Sequence, residues 1–314
     1  MLNRMFLIAS TFVVATSATP ALADEISTLG ISVQSMGDPF LTALVKGASA
    51  EAKVLNPNVR IIAAGFDYDI AKQFSQIDNF VAAGANLILL NPGDAHAIGP
   101  AIRRARAAVI PVVAVDTAAE GVDATITTDN IQAGELACQF IVDKLNGKGD
   151  VVIINGPQVS SVVDRVKGCK GALAKAPGVK ILSDDQDGKG TREGALGVMG
   201  GLLTRFSKID AVFTINDSTA VGANLAAKQQ HRTEFFIASV DGSPDFENAV
   251  KTDPNTLIKA SAAQSPYLMA RRAVEIGFDI AAGHKPEKPV ELMTPVLITP
   301  DNVASYKGWA ADQD

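Results

Sequence analysis

The stretch TLGISVQSMGDPFLTALVKGASAEAKVL, residues 28–55, joins a strand pattern to a helix pattern through a short polar turn. Thr28–Val33 is a run of apolar and β-branched residues, which is typical of a buried strand. Pro39–Leu55 carries apolar residues at spacings of four on one face: Phe40, Leu44, Ala48 and Ala52. The stretch therefore predicts one strand followed by one helix.

The same order repeats along the chain. Further strands are predicted at Val59–Ala64, Leu87–Leu90 and Val112–Val115, and a second series follows Ala124–Thr127, with strands at Val151–Ile154, Val179–Leu182, Ala211–Thr214, Phe235–Val240 and Leu257–Ala260. Helices are predicted at Ile70–Ala83, Ile131–Leu145, Val163–Ala174, Arg192–Arg205, Ser218–Gln229 and Pro266–Ala282. Because the strands are almost continuously apolar, we expect helices on both faces of a parallel sheet.

These patterns predict an α/β protein with two successive Rossmann-like, doubly wound parallel-sheet lobes. The length of 314 residues also favours two domains, since single cores stop growing near roughly 250–300 residues. We expect residues 24–128 and 264–291 in the N-terminal lobe, and residues 129–263 and 292–314 in the C-terminal lobe. The chain would then cross between the lobes near Asp129, Gln264 and Leu292.

The first 23 residues have the sequence pattern of a secretory signal peptide, which predicts export. Arg4 gives a positive charge before the mostly apolar Met5–Ala15, and Ala21-Leu22-Ala23 has small residues at the positions that a signal peptidase requires. The apolar run is too short for a transmembrane helix, which takes about 20 residues. We therefore expect residues 1–23 to be a signal peptide that is cleaved near Ala23, leaving a soluble secreted chain.

The net charge and the absence of several sequence motifs exclude some classes of partner, cofactor and enzyme. The net charge of −6, without a basic block, argues against nucleic acid or an anionic membrane as a partner. The sequence has no glycine-rich phosphate-binding motif and no Gly-x-Ser-x-Gly elbow, so we expect no nucleotide cofactor and no hydrolase of that type. The histidines, His96, His231 and His284, lack the spacing of metal ligands, so no metal is expected. A carboxylate pair for glycoside chemistry stays open.

Cys138 and Cys169 lie on consecutive predicted helices of one lobe. An oxidising compartment permits a disulfide between them. Two separate, small, buried thiols would fit the sequence equally well, so both alternatives stay open.

Polar side chains follow several predicted strands at the point where each strand ends. In an open parallel sheet, ligands bind in the crevice outside the carboxyl ends of the strands. The candidates that this rule selects are Gln34, Asp38, Asp116, Thr117, Asn216, Asp217 and Asp241. Taken singly, several of these residues also fit ordinary turns and helix caps.

From about Leu29 onward, eight short segments resemble a known family in order and spacing: Met36–Phe40, Asn91-Pro92, Val115-Asp116, Thr128–Asn130, Arg165 with Gly168, Asn216-Asp217, Val240–Gly242, and Gln264 before Pro266. The chain resembles periplasmic substrate-binding proteins of the ribose-binding type. The resemblance implies two lobes that are joined by three crossings and close over a monosaccharide. It also implies a periplasmic location.

The resemblance further implies a role for each matching residue. Asp38, Phe40 and Asp116 would contact the sugar from the first lobe, with Gln34 as a looser candidate. Arg165, Asn216 and Asp241 would contact it from the second lobe, and Gln264 would lie on a hinge crossing. Carboxylates accept hydrogen bonds from hydroxyl groups and arginine donates them, so these residue types suit a hydroxylated ligand.

Three positions depart from the ribose-binding pattern. Thr117 stands where an arginine is expected, Leu41 replaces a second aromatic residue, and glycine near Gly190 replaces a third. We therefore expect a ligand other than ribofuranose: a linear polyol, a tetrose, or a differently shaped pentose or hexose.

The predicted function is that of the solute-binding component of an ABC-type sugar importer, a monomer without catalytic activity that delivers its ligand to a membrane permease. One alternative is a sugar sensor for a chemoreceptor or a sensor kinase. Another is a secreted sugar-modifying enzyme on the same scaffold. A transcription repressor would need an N-terminal helix-turn-helix, where this chain has its export signal.

Overall fold

The computed structural model describes residues 26–309, so the predicted signal peptide lies outside the described residues. In chain order, the strands are β1 (Thr28–Val33), β2 (Arg60–Gly65), β3 (Leu87–Leu90), β4 (Val112–Val115), β5 (Ala124–Thr128), β6 (Lys148–Asn155), β7 (Gly178–Asp187), β8 (Ala211–Thr214), β9 (Phe236–Asp241), β10 (Ile258–Ala263), β11 (Val290–Met293) and β12 (Val296–Ile298). The helices are α1 (Pro39–Leu55), α2 (Ile70–Ala82), α3 (Gly99–Ala107), α4 (Asn130–Lys144), α5 (Ser160–Ala174), α6 (Arg192–Arg205), α7 (Asp217–Gln229), α8 (Pro244–Thr252) and α9 (Pro266–Ala281). Each predicted strand and helix is present, whereas α3, α8, β11 and β12 were not predicted.

Within residues 26–309, the strands form two six-stranded sheets. The first has the order β11-β5-β4-β3-β1-β2 and all its pairs are parallel. The second has the order β12-β10-β9-β8-β6-β7, and only its edge strand β12 runs antiparallel to its neighbour. The predicted fold class is therefore confirmed, with one antiparallel edge strand in the second lobe.

Each sheet is covered on both faces because its strands are apolar on both faces. In β3, Leu87 and Leu89 pack into the core beneath α1 and α9, whereas Ile88 and Leu90 pack into the core beneath α2 and α3. The second sheet is enclosed in the same way, by α4 and α5 on one face and by α6, α7 and α8 on the other. In the described part of the chain, no helix has the length and apolar character needed to cross a membrane.

Helix caps explain why polar residues stand where the strands end. Asp38, Asp69 and Asp129 each accept a backbone hydrogen bond at the start of the next helix, and Asn216 and Ser243 do the same in the second lobe. A short polar side chain at this position satisfies an N–H group that has no partner inside the helix. The caps therefore place carboxylate, amide and hydroxyl groups at the carboxyl edges of both sheets.

The chain passes between the sheets after β5, after β10 and after β11. The first two crossings lie beside Asp129 and Gln264. All four residues of β11 pair with β5, so the third crossing follows Met293, and the expected boundary at Leu292 falls inside the strand. The full division of the chain into two lobes stays a prediction.

Helices α4 and α5 pack against each other with almost no space between their backbones. A Cβ atom on Gly134 would lie 1.9 Å from the Arg165 carbonyl oxygen, and one on Gly168 would lie 2.0 Å from the Ile131 carbonyl oxygen. At this contact, Cys138 and Cys169 are joined by a disulfide, with their Cα atoms 4.9 Å apart. The sequence alone did not decide whether the two cysteines are bonded. The close helix contact brings the two thiols together.

Candidate ligand-binding site

A cavity of about 140 Å³ lies between the lobes, at the carboxyl ends of strands from both sheets. All nine residues that the sequence predicted as ligand contacts line it: Gln34, Asp38, Phe40, Asp116, Thr117, Arg165, Asn216, Asp241 and Gln264. The structure brings these residues together, and their contacts with a ligand stay a prediction.

Asp38 forms part of the wall on the side of the first lobe. Its Oδ1 atom accepts hydrogen bonds from the N–H groups of Phe40 and Leu41, at 2.8 and 3.2 Å. Its Oδ2 atom has no donor among the residues that the structure describes. Burial raises the pKa of Asp38 above its ordinary value, and the two N–H donors oppose this. Asp38 is therefore a helix cap whose second carboxylate oxygen makes no hydrogen bond within the described residues.

Asp116 follows β4 and adopts a positive φ of 69°. The fully buried Asn91 donates from Nδ2 to Asp116 Oδ2 at 3.1 Å and to Thr117 Oγ1 at 3.3 Å. Burial raises the pKa of Asp116 to about 6, against the opposing effects of the Arg165 charge and the Asn91 hydrogen bond. The sequence identified Asn91 only as part of a family motif. Its place after β3 was the signal for a site residue, because the strand-end rule applies to it as well.

Thr117 lines the cavity but uses its hydroxyl group within the protein. Its Oγ1 atom donates to the Pro92 carbonyl oxygen at 3.0 Å and accepts from Asn91. The side chain is buried, so this bond ties the end of β4 to the loop after β3. No cation stands at this position, where the ribose-binding pattern has an arginine.

Arg165 on α5 forms part of the opposite wall and is 5% exposed. Its Nε atom donates to Asn130 Oδ1 at 2.8 Å, and Nη1 donates to the Ile215 carbonyl oxygen at 2.9 Å. Nη1 also lies 3.5 Å from Asp241 Oδ1. Nη2 makes no hydrogen bond with the described residues, so its N–H groups are available to a ligand. The guanidinium is thus fixed in place before a ligand arrives.

Asp241 ends β9 with a positive φ of 130°. Its Oδ1 atom accepts from Gln264 Nε2 at 2.6 Å, while Gln264 Oε1 accepts from Thr128 Oγ1 at 2.7 Å. Burial raises the pKa of Asp241 well above its ordinary value, Arg165 opposes this, and the Asp217 charge adds to it. Because Thr128 and Gln264 lie at two crossings, Asp241 is bonded directly to the hinge.

Asp217 lies beneath the site and does not line the cavity. It accepts hydrogen bonds from the Ser239 and Ser261 hydroxyl groups and, at 2.7 Å, from the Ser243 N–H. Burial raises its pKa to about 6. These bonds hold the turn that follows Asp241, so the role of Asp217 is to shape the site.

Asn216 caps α7 and closes the neighbouring loop. Its Oδ1 atom accepts from the Thr219 N–H at 2.9 Å, and its Nδ2 atom donates to the Gly190 carbonyl oxygen at 3.0 Å. The second amide hydrogen of Nδ2 has no acceptor within residues 26–309. At Gly190 the cavity wall is backbone, because this position has no aromatic ring.

Phe40 shares the cavity with an aromatic residue that the sequence reasoning missed. Trp309 lies near the end of the described chain, and its ring centroid is 5.4 Å from that of Phe40 in an edge-to-face arrangement. Its Nε1 atom donates to the Asp241 carbonyl oxygen at 2.8 Å. Trp309 follows no strand of the parallel series, so neither the strand-end rule nor the family motifs could select it.

Comparisons with known proteins identify the same family that the sequence resembles. A family model described as a periplasmic binding protein domain matches residues 29–285. The ribose import binding protein of Bacillus subtilis is 34% identical over 267 residues, which cover 84% of each chain. The xylitol-binding protein of Mycolicibacterium smegmatis is 32% identical over 282 residues, which cover 88% of this chain and 78% of the relative. The crystal structure of a galactofuranose binding protein, 28% identical, covers 88% of this chain and 96% of its own with a TM-score of 0.81.

Proposed function

Since this chain belongs to the periplasmic binding protein family, we propose that it captures a monosaccharide or polyol between its lobes and delivers it to the permease of an ABC-type importer. The family and these relatives are binding proteins rather than enzymes. One observation carries the proposal: carboxylates from both lobes and a buried guanidinium surround one small cavity. The carboxylates accept hydrogen bonds from ligand hydroxyl groups, and the guanidinium donates to ligand oxygens.

The ligand itself is set by the walls of the cavity and not by the family. The relatives are named for ribose and for xylitol at nearly the same identity to this chain. Thr117, Leu41 and Gly190 leave out the cation and the two aromatic rings of the ribose-binding pattern. These three positions support a linear polyol, a tetrose, or a pentose or hexose of another shape.

Closure of the lobes is the proposed mechanism. A ligand that contacts Asp116 in one lobe and Asp241 in the other makes all its bonds only when the cleft is closed, so it favours the closed state. The bonds from Thr128 through Gln264 to Asp241 support a hinge that responds to the site. A permease would then recognise the closed form.

We also propose a cellular location and an oligomeric state for the protein. Residues 1–23 act as a signal peptide that is removed near Ala23, and the mature chain works as a monomer in the periplasm. Mass spectrometry of the protein from a periplasmic extract measures both the new N-terminus and the native mass. A chain that retains residues 1–23 would contradict the proposed location.

A thermal-shift panel on refolded, ligand-free protein tests the binding function. The panel contains D-ribose, L-arabinose, D-xylose, D-galactose, D-fructose, erythritol, xylitol, D-mannitol and myo-inositol. A ligand at 100 times its Kd adds about 2.7 kcal/mol to the free energy of unfolding, which raises Tm measurably. We expect at least one member to do so. If no member stabilises the protein, the proposed function fails; if ribose alone does, the proposed ligand class fails.

A further inference from the structure

The chain continues past β12 as a segment that returns to the cleft. We call residues 299–309 the C-terminal tail. Val303 of the tail is buried in the core of the second lobe, in the cluster that α6, α7 and α8 cover. The Tyr306 hydroxyl group donates to the Gly242 carbonyl oxygen at 2.8 Å, and Trp309 Nε1 donates to the Asp241 carbonyl oxygen. The tail is therefore attached to the second lobe at three points.

Gly242 shows that the second lobe is shaped to receive the tail. Its φ is +67°, and a Cβ atom at this position would lie 2.6 Å from the Tyr306 hydroxyl oxygen and 2.5 Å from the Ala263 Cβ. A side chain there would push the tail away from the turn that follows β9. Only glycine fits this position, because it tolerates both the positive φ and the close approach.

The tail ends with its tryptophan inside the cavity. Trp309 is 6% exposed and lines the same cavity as Phe40, Arg165 and Asp241. It is attached to the second lobe, whereas Phe40 lies in the first turn of α1 in the first lobe, and the two rings meet edge to face. The pair is thus an aromatic contact between the lobes at the ligand cavity. An edge-to-face pair of rings adds stabilisation beyond that of its buried area.

We infer that Trp309 is a specificity-determining residue of the binding site, supplying from the C-terminal tail the aromatic wall that Leu41 and Gly190 do not provide. Its ring covers C–H groups of the bound sugar or polyol, and its contact with Phe40 helps to hold the lobes closed. The inference rests on the proposed function, since it assumes a hydroxylated ligand in this cavity.

The chain has a single tryptophan, so its own fluorescence reports on this residue alone. The test begins with the panel members that stabilise refolded wild-type protein, and their affinities are measured by isothermal titration calorimetry. Saturation with such a ligand is expected to shift the Trp309 emission to shorter wavelength and to reduce its quenching by acrylamide. A wild-type emission that does not change on saturation would contradict contact with the ligand.

The variants Trp309→Phe and Trp309→Ala are measured by calorimetry beside Val303→Ala, which loosens the tail in the core without touching the cavity. We expect Trp309→Ala to weaken binding at least 10-fold, Trp309→Phe to weaken it less, and Val303→Ala to lower Tm with less than a 3-fold change in Kd. The Trp309 variants should also change the rank order of ligands in the panel.

Two results from these variants would also overturn the inference. Wild-type affinity and ligand rank order in Trp309→Ala would leave the proposed function intact and remove Trp309 from the site. Equal losses of affinity in Trp309→Ala and Val303→Ala, with the rank order unchanged, would reduce Trp309 to an anchor of the tail. Failure of the whole panel to stabilise wild-type protein is a different outcome, because it contradicts the proposed function itself.

Discussion

The two lobes present their halves of the cavity in different ways. In the first lobe, Asp38, Phe40 and Asp116 are half-buried, and Asp38 is held mainly by backbone groups of its own helix. In the second lobe, Arg165 and Asp241 are buried and joined through side chains to Asn130 and Gln264 at the crossings. A half-site that is already ordered loses less entropy when a ligand binds. The second lobe therefore forms the more ordered half of the cavity, which we call the prepared half.

The helix pairs that pack next to the two halves of the cavity also differ between the lobes. In the first lobe, α1 and α9 touch at Gly47, where a Cβ atom would lie 2.1 Å from the Tyr267 carbonyl oxygen. In the second lobe, the similar contact between α4 and α5 also carries the disulfide. Asn130 and Arg165 lie on these two helices, so the covalent link secures the helix pair that orients the guanidinium.

The largest expected effect comes from removing that link. The double variant Cys138→Ala/Cys169→Ala opens a loop with a sequence separation of 31 residues. Chain-entropy arguments give a loss of roughly 3–4 kcal/mol in the free energy of unfolding for such a loop. Thermal unfolding should show a lower Tm for the variant, and wild-type protein treated with a reductant should match it. An unchanged Tm in both samples would contradict the claim that the disulfide secures the α4–α5 pair of the second lobe.

The next effect concerns Asp116, whose pKa is raised to about 6 from an ordinary value of 3.8. Its ionised form destabilises the folded protein, and this penalty is absent below pH 3.8, grows up to pH 6 and is complete above it. The shift corresponds to at most about 3 kcal/mol. Asp116→Asn should therefore raise Tm at pH 7.5 and leave it nearly unchanged at pH 4, while ligand affinity falls. Asparagine tolerates the positive φ. A lower Tm at pH 7.5 would contradict the cause given for the raised pKa.

A third comparison sets one half-site directly against the other. Arg165→Ala removes the fixed donor of the second lobe and should weaken ligand binding at least 10-fold, since a hydrogen bond to a charged group contributes about 1.5–3 kcal/mol. Asp38→Asn keeps an oxygen for the helix cap and should weaken binding by less. Calorimetry on both variants, with the exposed Arg104→Ala as the control, gives the order. A larger loss for Asp38→Asn would reverse the assignment of the prepared half.

The smallest expected effect is at Thr117. Thr117→Val removes the hydrogen bond to the Pro92 carbonyl oxygen and should lower the free energy of unfolding by about 1 kcal/mol. Affinity for the strongest panel ligand should change by less than 3-fold, because the hydroxyl proton is already donated within the lobe. A 10-fold loss would instead show that Thr117 contacts the ligand directly, as the sequence predicts.

Much of the architecture could be predicted because its signals are local. Apolar runs and spacings of four residues identify strands and helices, and the order of strands and helices fixes which strand ends face the cleft. The elements that were missed carry weaker signals. Helix α3 has nine residues and four of them are charged or proline, and β12 has three residues at a sheet edge.

The site was predictable only as a set of strand-end residues. The bonds that join Thr128, Gln264 and Asp241 connect positions that are far apart in sequence, so only the folded chain shows them. The same holds for Trp309, which reaches the cavity because Gly242 leaves room for the tail. From the sequence, helix capping and ligand binding were alternative interpretations of such residues. In the structure, Asp38 and Asn216 cap helices and also line the cavity.

A crystal structure with the strongest stabiliser from the panel tests the central claim most directly. We expect one ligand molecule whose oxygen atoms lie within about 3 Å of the Asp116 carboxylate on one side and of Arg165 and Asp241 on the other. A ligand that contacts only one lobe, or that binds outside this cavity, would contradict the account.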